Sequence, residues 1–183
     1  MRHGETEWSR DGRHTGRSDI LLTPKGEEQA ERLRPMLARW KFSTVLCSPM
    51  QRARHTAHLA GYAEHAIIDR DLEEWDYGAY DGMTLAEIRA ERPGWLLWRD
   101  GPKGGETLAA VAQRADHVIG RLREVDGDVL VVAHGHILRV ITARWIQLSP
   151  EAGQRFVLGP ASLSVLGYEH EWTVVRSWNQ ENG

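Results

Sequence analysis

An α/β sandwich around a mainly parallel sheet is the fold class that this sequence predicts. Strand-like and helix-like stretches alternate along most of the chain. The stretch "GDVLVVAHGH" (127–136) begins as an unbroken apolar run, the mark of a strand buried on both faces. It passes directly into the helical stretch "ILRVITARWIQL" (137–148). Open sheets of this kind bind ligands beyond the carboxyl ends of their strands. Both "RHG" (2–4) and "AHGH" (133–136) are expected at that edge.

Each element carries its own signal. "LTPKGEEQAERLRPMLARW" (22–40) reads as a helix with Thr23 as N-cap, Pro24 at its first position and a kink at Pro35. "STVLCSP" (43–49) reads as a short buried strand, and a second helix starts from Ser48 and Pro49 and ends at Gly61. "HAIID" (65–69) supplies another short strand, and a helix within "TLAEIRAERPGW" (84–95) stops before Pro93. From Glu106, residues Leu108, Val111, Ala115, Val118, Ile119 and Leu122 recur at helical spacing as one apolar stripe. "ASLSVLGYEH" (161–170) and "EWTVVRSWN" (171–179) close the chain as strands. No repeat or low-complexity linker interrupts residues 1–183, so a single domain is expected.

Composition narrows the function classes. A formal net charge of −3 gives no basic footprint for nucleic acid. No stretch approaches the roughly 18 consecutive apolar residues of a membrane span. No charged-then-apolar leader precedes the first motif. Cys47 is the lone cysteine, which excludes an internal disulfide and fits a reducing compartment; in "TVLCSP" it reads as a buried structural thiol. The expectation is a cytoplasmic protein without nucleic-acid or membrane partners, its oligomeric state open.

Four stretches concentrate the chemistry: "RHGET" (2–6), "SPMQRARHTA" (48–57), "LEEWDYGAYDG" (72–82) and "AHGH" (133–136). Taken singly, each has an ordinary reading. His134 at a strand end would be a satisfied near-core histidine, Arg52 a solvated charge on a helix, and Glu74 one more loop acid. Together, in this order and across most of the chain, the stretches resemble the histidine phosphatase superfamily, the phosphoglycerate mutase-like or "RHG" family. That resemblance implies a three-layer, phosphoglycerate mutase-like α/β/α sandwich. It matches Arg2, His3, Arg52 and His134 to the family's phosphate pocket, with His3 as the residue phosphorylated. It matches Glu74 to the proton donor, because Leu72 two positions earlier and Gly78 four later fit the pattern; Glu73 is the competing assignment.

The residue types suit the implied reaction. A phosphomonoester carries close to two negative charges, and catalysis at its phosphorus is mostly positioning and electrostatic stabilisation. Arg2 and Arg52 serve that end because a guanidinium stays charged and offers a planar fork. A neutral His3 can attack in line if its other ring nitrogen holds the proton, donated to a backbone carbonyl. The resulting phosphohistidine divides one displacement into two easier ones. His134 is expected as a cationic partner for the phosphoryl oxygens, and Gly135 as a close backbone approach at a helix start, where free N–H groups favour an anion. Glu74 would protonate the leaving alkoxide and then activate water. No cofactor or metal is expected, since two arginines and His134 supply the positive charge.

Longer matches in "TEWSRDGRHTGRSDILLT" (6–23), "EEWDYGAYDGMT" (73–84), "WRDGPKGGET" (98–107) and "AHGHILR" (133–139) resemble the branch with sedoheptulose-bisphosphatase-like and acid-phosphatase-like members. Mutases of the family usually have asparagine after the early tryptophan and a long insertion before the second histidine. Here Ser9 follows Trp8, and 59 residues (75–133) separate Glu74 from His134. A phosphatase of small phosphate esters, sugar phosphates among them, is therefore expected. A mutase and a non-catalytic phospho-ligand binding module are the alternatives. In that branch the segments matching His14–Thr15, Glu74–Tyr77 and Arg139 line the substrate, so Ser9, His14, Thr15, Trp75, Tyr77, Gly135 and Arg139 are the candidate substrate contacts. Arg139 is either a clamp for a second anionic group or a surface charge. Trp75, Trp95 and Trp98 either stack on a sugar face or pack the core. His134 and His136 form an H-x-H pair, but no cysteine cluster or H-E-x-x-H accompanies it, which argues against zinc.

In the family the arginine of "RHG" ends a central strand, whereas only Met1 precedes Arg2 here. The expectation is a gap in the sheet and a poorly placed His3 unless an apolar run of roughly 5–10 residues stands upstream of Met1. The alternative is a short start whose free α-amino group adds charge beside the phosphate pocket.

Overall fold

The structure is a computed structural model that describes residues 1–181. Thr6 and Ser9 cap each other reciprocally to open α1 (Glu7–Arg10). α2 (Pro24–Leu37) begins as its sequence predicts, with the Thr23 hydroxyl accepting the Gly26 N–H and Pro24 in the first turn. β1 (Phe42–Cys47) leads to α3 (Gln51–Leu59), which starts three residues later than the Ser48 signal suggests. The reason lies in the site: the Ser48 hydroxyl bonds the His134 ring instead of capping the helix. β2 (Ala66–Ile68) follows, then α4 (Leu85–Glu91) behind a Thr84–Glu87 capping box, and the short α5 (Leu97–Asp100). α6 (Leu108–Glu124) carries the predicted apolar stripe, with Val111, Ala115, Val118 and Ile119 buried. β3 (Asp128–Val132) and α7 (Gly135–Trp145) come next. β4 (Leu163–Glu169) and β5 (Trp172–Gln180) end the described chain.

β1 lies between β2 and β3, all three parallel, with Cys47 opposite both Ile68 and Val132. β4 and β5 form a separate antiparallel pair. Alternation along the strands sends side chains to two cores. Val45, Cys47, Leu130 and Val132 meet Leu33, Leu37, Ala53 and Ala57 of α2 and α3. Leu46 meets Val111, Val118, Ile137 and Ile141 of α6 and α7 on the opposite face. Helices therefore cover both faces of the parallel sheet, as the three-layer expectation requires. Among the described residues no helix is long and apolar enough to cross a membrane.

Two expectations need correction. β3 is not buried on both faces: Leu130 and Val132 are buried, but Val129 and Val131 are half-buried. Nor is His3 poorly placed, because residues 1–3 are held between Ala133, just past β3, and Ala161 and Ser162, just before β4. Met1 N donates to the Val131 carbonyl, Ala133 N to Met1, and His3 N to Ala133, while Arg2 N donates to Ser162 on the other side. Beside Met1 lies a cavity of about 370 Å³ lined by Val129, Val131, Ile141, Val165 and Leu166, among others. That cavity is what leaves the outer face of β3 partly uncovered.

Candidate active site

His3 stands at the carboxyl edge of the sheet, its N–H on the Ala133 carbonyl and its own carbonyl on the Ala161 N–H. Its Nδ1 lies 2.7 Å from the Gly4 carbonyl. A carbonyl only accepts, so Nδ1 carries the proton and Nε2 the lone pair. Burial, then the charges of Arg52 and Arg2, hold the imidazole pKa well below its ordinary value. The ring is a neutral base with one nitrogen free. The backbone just beyond it is gripped by two glycines: a Cβ on Gly4 would lie 2.3 Å from the Gly26 carbonyl oxygen, and one on Gly26 2.1 Å from that of Glu5. Gly4 N–H is also received by Thr56 Oγ1 on α3 at 3.0 Å.

Around that ring the sequence-predicted cations converge. Arg52 is fully buried on α3; its Nη1 and Nη2 donate to the Ser18 and Gly16 carbonyls at 2.8 and 2.9 Å, and its Nε to His134 Nδ1 at 3.1 Å. Arg2 donates through Nη1 to the Leu158 carbonyl, and its Nε is buried with no partner among the described residues. An unpaired buried guanidinium N–H is costly unless an anion arrives to meet it. His134, 5.1 Å from His3 between ring centres, differs in charge from the cation expected. Its Nδ1 accepts from Arg52, so its proton sits on Nε2 and is donated to Ser48 Oγ at 2.7 Å. Burial, then Arg52, His3 and Arg2, press its pKa well below normal, and the ring is neutral. Ser48 is a site residue that the sequence signal misassigned, because "SP" reads first as a helix start.

Glu74 is 6% exposed, and its carboxylate collects three backbone donors. Trp75 N and Ile137 N reach Oε1 at 3.0 and 2.9 Å, and His136 N reaches Oε2 at 3.0 Å. Two N–H groups at the start of α7, those of His136 and Ile137, thus hold Glu74. Gly135 lies against both partners: a Cβ there would sit 3.6 Å from the Arg2 guanidinium and 3.7 Å from Glu74 Oε2. Glu73, the competing candidate, has its Oε2 3.7 Å from Arg17 Nε.

The candidate substrate contacts divide. His14 and Arg139 are half-buried beside the site, His14 edge-on to Tyr77 and Arg139 over the Trp98 ring at 4.9 Å. Arg139 is no simple surface charge, since its Nε is tied to the Gly153 carbonyl at 2.9 Å. Thr15 lies in the same loop, its hydroxyl 3.5 Å from the Arg13 carbonyl. Four others change role. Ser9 spends its hydroxyl on the α1 cap. Trp75 is wholly buried with Nε1 on the Glu106 carbonyl, and Trp95 is buried with Nε1 on Gly101. Tyr77 is buried as well, and its hydroxyl bonds His136 Nδ1 at 2.6 Å. Bulk drives these aromatic rings into the core, where their polar ends find carbonyls or a histidine. Among the described residues no group of three histidine, cysteine or acidic side chains is arranged to hold a metal ion.

Relatives share this arrangement's overall frame. The chain is 42% identical over 174 residues to an acid phosphatase of Mycobacterium tuberculosis, covering 93% of this chain and 85% of that protein. It is 35% identical over 181 residues to the sedoheptulose 1,7-bisphosphatase of Saccharomyces cerevisiae, covering 81% and 66%. A solved structure of a Mycobacterium tuberculosis open reading frame product superposes with a TM-score of 0.93 at 40% identity, over 98% of this chain and 95% of that one. The histidine phosphatase superfamily (branch 1) matches residues 1–181, and the chain belongs to that superfamily.

Proposed function

We propose that this phosphatase hydrolyses small phosphomonoesters, sugar phosphates foremost, in the cytoplasm through a phosphohistidine on His3, without a metal. The observation that carries this reading is the tautomer of His3, whose Gly4-bound Nδ1–H leaves Nε2 as a free nucleophile among two arginines. Nε2 attacks phosphorus and the bond from phosphorus to the leaving oxygen breaks. Glu74 passes its proton to that oxygen, and the three N–H donors stabilise the carboxylate left behind. Water then attacks phosphorus, the P–N bond breaks with its electron pair returning to Nε2, and Glu74 takes the water's proton. The unpaired Arg2 Nε–H and the remaining Arg52 protons meet the phosphoryl oxygens. The named activities of the acid phosphatase and sedoheptulose bisphosphatase relatives support the substrate class.

A P–N bond is labile in acid and persists in base. Rapid-quench labelling is expected to trap an acid-labile, base-stable adduct that vanishes in His3→Ala; an adduct surviving that substitution overturns the assignment. Turnover is expected to persist in EDTA and to be blocked by vanadate, a mimic of five-coordinate phosphorus.

A further inference from the structure

Two imidazoles outside the phosphate pocket have their tautomers set by opposite partners. His14 Nδ1 lies 3.0 Å from the Met83 carbonyl, which can only accept. The proton is therefore on Nδ1, and Nε2 presents a lone pair. His136 Nδ1 lies 2.6 Å from the Tyr77 hydroxyl. Tyr77 is 2% exposed, burial and the nearby Glu74 hold its pKa well above 10, and its hydroxyl bonds nothing else among the described residues. If His136 donated, the phenol proton would be left buried without an acceptor. The phenol therefore donates to Nδ1, and His136 presents Nε2–H. Burial first, then Arg139 and His14, keeps His136 neutral, and burial does the same for His14.

The two rings lie parallel, 9° apart in plane and 6.4 Å between centres. One offers an acceptor and the other a donor. Neither Nε2 has a partner among the described residues, and neither is a buried orphan. The pair adjoins the acid: His136 Nδ1 is 3.9 Å from Glu74 Oε2, and Glu74 faces the leaving oxygen in the proposed reaction. Trp75 and Trp98 wall His136 at 6.3 and 5.5 Å and fix the ring. Arg139, stacked on Trp98, closes the same side.

We propose that His14 and His136 are specificity-determining residues that read hydroxyl groups on the leaving group, with Tyr77 as the positioning residue that sets the His136 tautomer. A hydroxyl is both donor and acceptor, so a polyol can give a proton to His14 Nε2 and accept one from His136 Nε2–H. An aliphatic leaving group satisfies neither. The inference rests on the phosphatase reading above for its kinetic consequence, but not for the tautomers.

The test compares a hexitol 6-phosphate with n-hexyl phosphate, two alkyl esters with a similar need for the acid. The wild type is expected to favour the hexitol ester in kcat/KM. His14→Phe, His136→Phe and Tyr77→Phe are each expected to lower that preference on the order of tenfold, the worth of about one hydrogen bond. Imidazole ¹⁵N shifts of the uncomplexed wild type should report Nδ1–H for His14 and Nε2–H for His136, with His136 no longer held to one tautomer in Tyr77→Phe. A wild-type His136 protonated on Nδ1, or equal losses on both esters, overturns the proposal. Absence of turnover on any phosphomonoester overturns the phosphatase reading, while the ¹⁵N result decides the tautomers independently.

Discussion

Glu74 is defined less by its own side chain than by three N–H groups that converge on it from Trp75, His136 and Ile137. Glu74→Gln keeps the shape but removes the proton. Loss of a general acid typically costs ~10²–10⁴-fold, and an aryl leaving group scarcely needs one. Turnover of alkyl phosphates is therefore expected to fall much further than that of p-nitrophenyl phosphate in steady-state assays. Equal losses would move the acid role elsewhere. Ser48 is a subtler case. Its hydroxyl receives the His134 Nε2 proton in a fully buried place. Ser48→Ala strands that proton, at a cost of about 1–3 kcal/mol by denaturant titration. Cys47, next to it, is chemically quiet: burial pushes its thiol up to about 12, so alkylating agents should label it only on unfolding.

Between elements, the segment after His3 crosses closely over the start of α2. Gly26 sits in the first turn of that helix, where alanine would ordinarily add about 1 kcal/mol of stability. Here its Cβ would come within 2.1 Å of the Glu5 carbonyl oxygen, and backbone on both sides must move. Forced overpacking costs typically 1–3 kcal/mol and outweighs the helix gain. Gly26→Ala is expected to lower both Tm and kcat, because Glu5 and Gly4 are continuous with His3. A stable and fully active variant would show that the crossing does not position the nucleophile.

At the scale of the whole molecule, the parallel sheet and the β4–β5 pair meet through residues 1–3, and the cavity behind Met1 separates the rest of β3 from β4. The Met1 α-amino group donates to Val131, and burial holds its pKa down at about 5 instead of 8.0. Between those values the unfolded chain binds a proton that the folded chain does not. Stability is then highest above pH 8 for this group, falls as pH drops, and reaches its full loss below about 5. The slope is at most about 1.4 kcal/mol per pH unit. His3, His134 and His136, also depressed, act in the same direction but only below their ordinary 6.5. From pH 6.5 to 8, unfolding free energy is expected to rise for the chain starting at Met1. Extending it upstream with a short apolar segment turns the amine into an amide N–H that continues the ladder on Val131. The slope should then vanish and Tm rise, each kcal/mol adding about 2–4 °C. Equal slopes would remove the buried amine as the cause.

Local patterns in the sequence determined much of this protein by themselves. Thr23 and Pro24 mark α2, Thr84 and Glu87 cap α4, and the stripe from Leu108 to Leu122 buries one face of α6. Such signals are legible because capping and amphipathicity depend on neighbours within a few residues. The motif order likewise placed His3, Arg52, His134 and Glu74 in one site. What only tertiary structure decided are the groups whose partners lie far along the chain. Ser48 serves His134, 86 residues away, instead of its helix. Tyr77 turns from the substrate list to His136, and His134 becomes a neutral hydrogen-bonded ring between Arg52 and Ser48. Charge state, tautomer and burial are set by through-space neighbours and by exclusion of water, and no spacing along the chain encodes them.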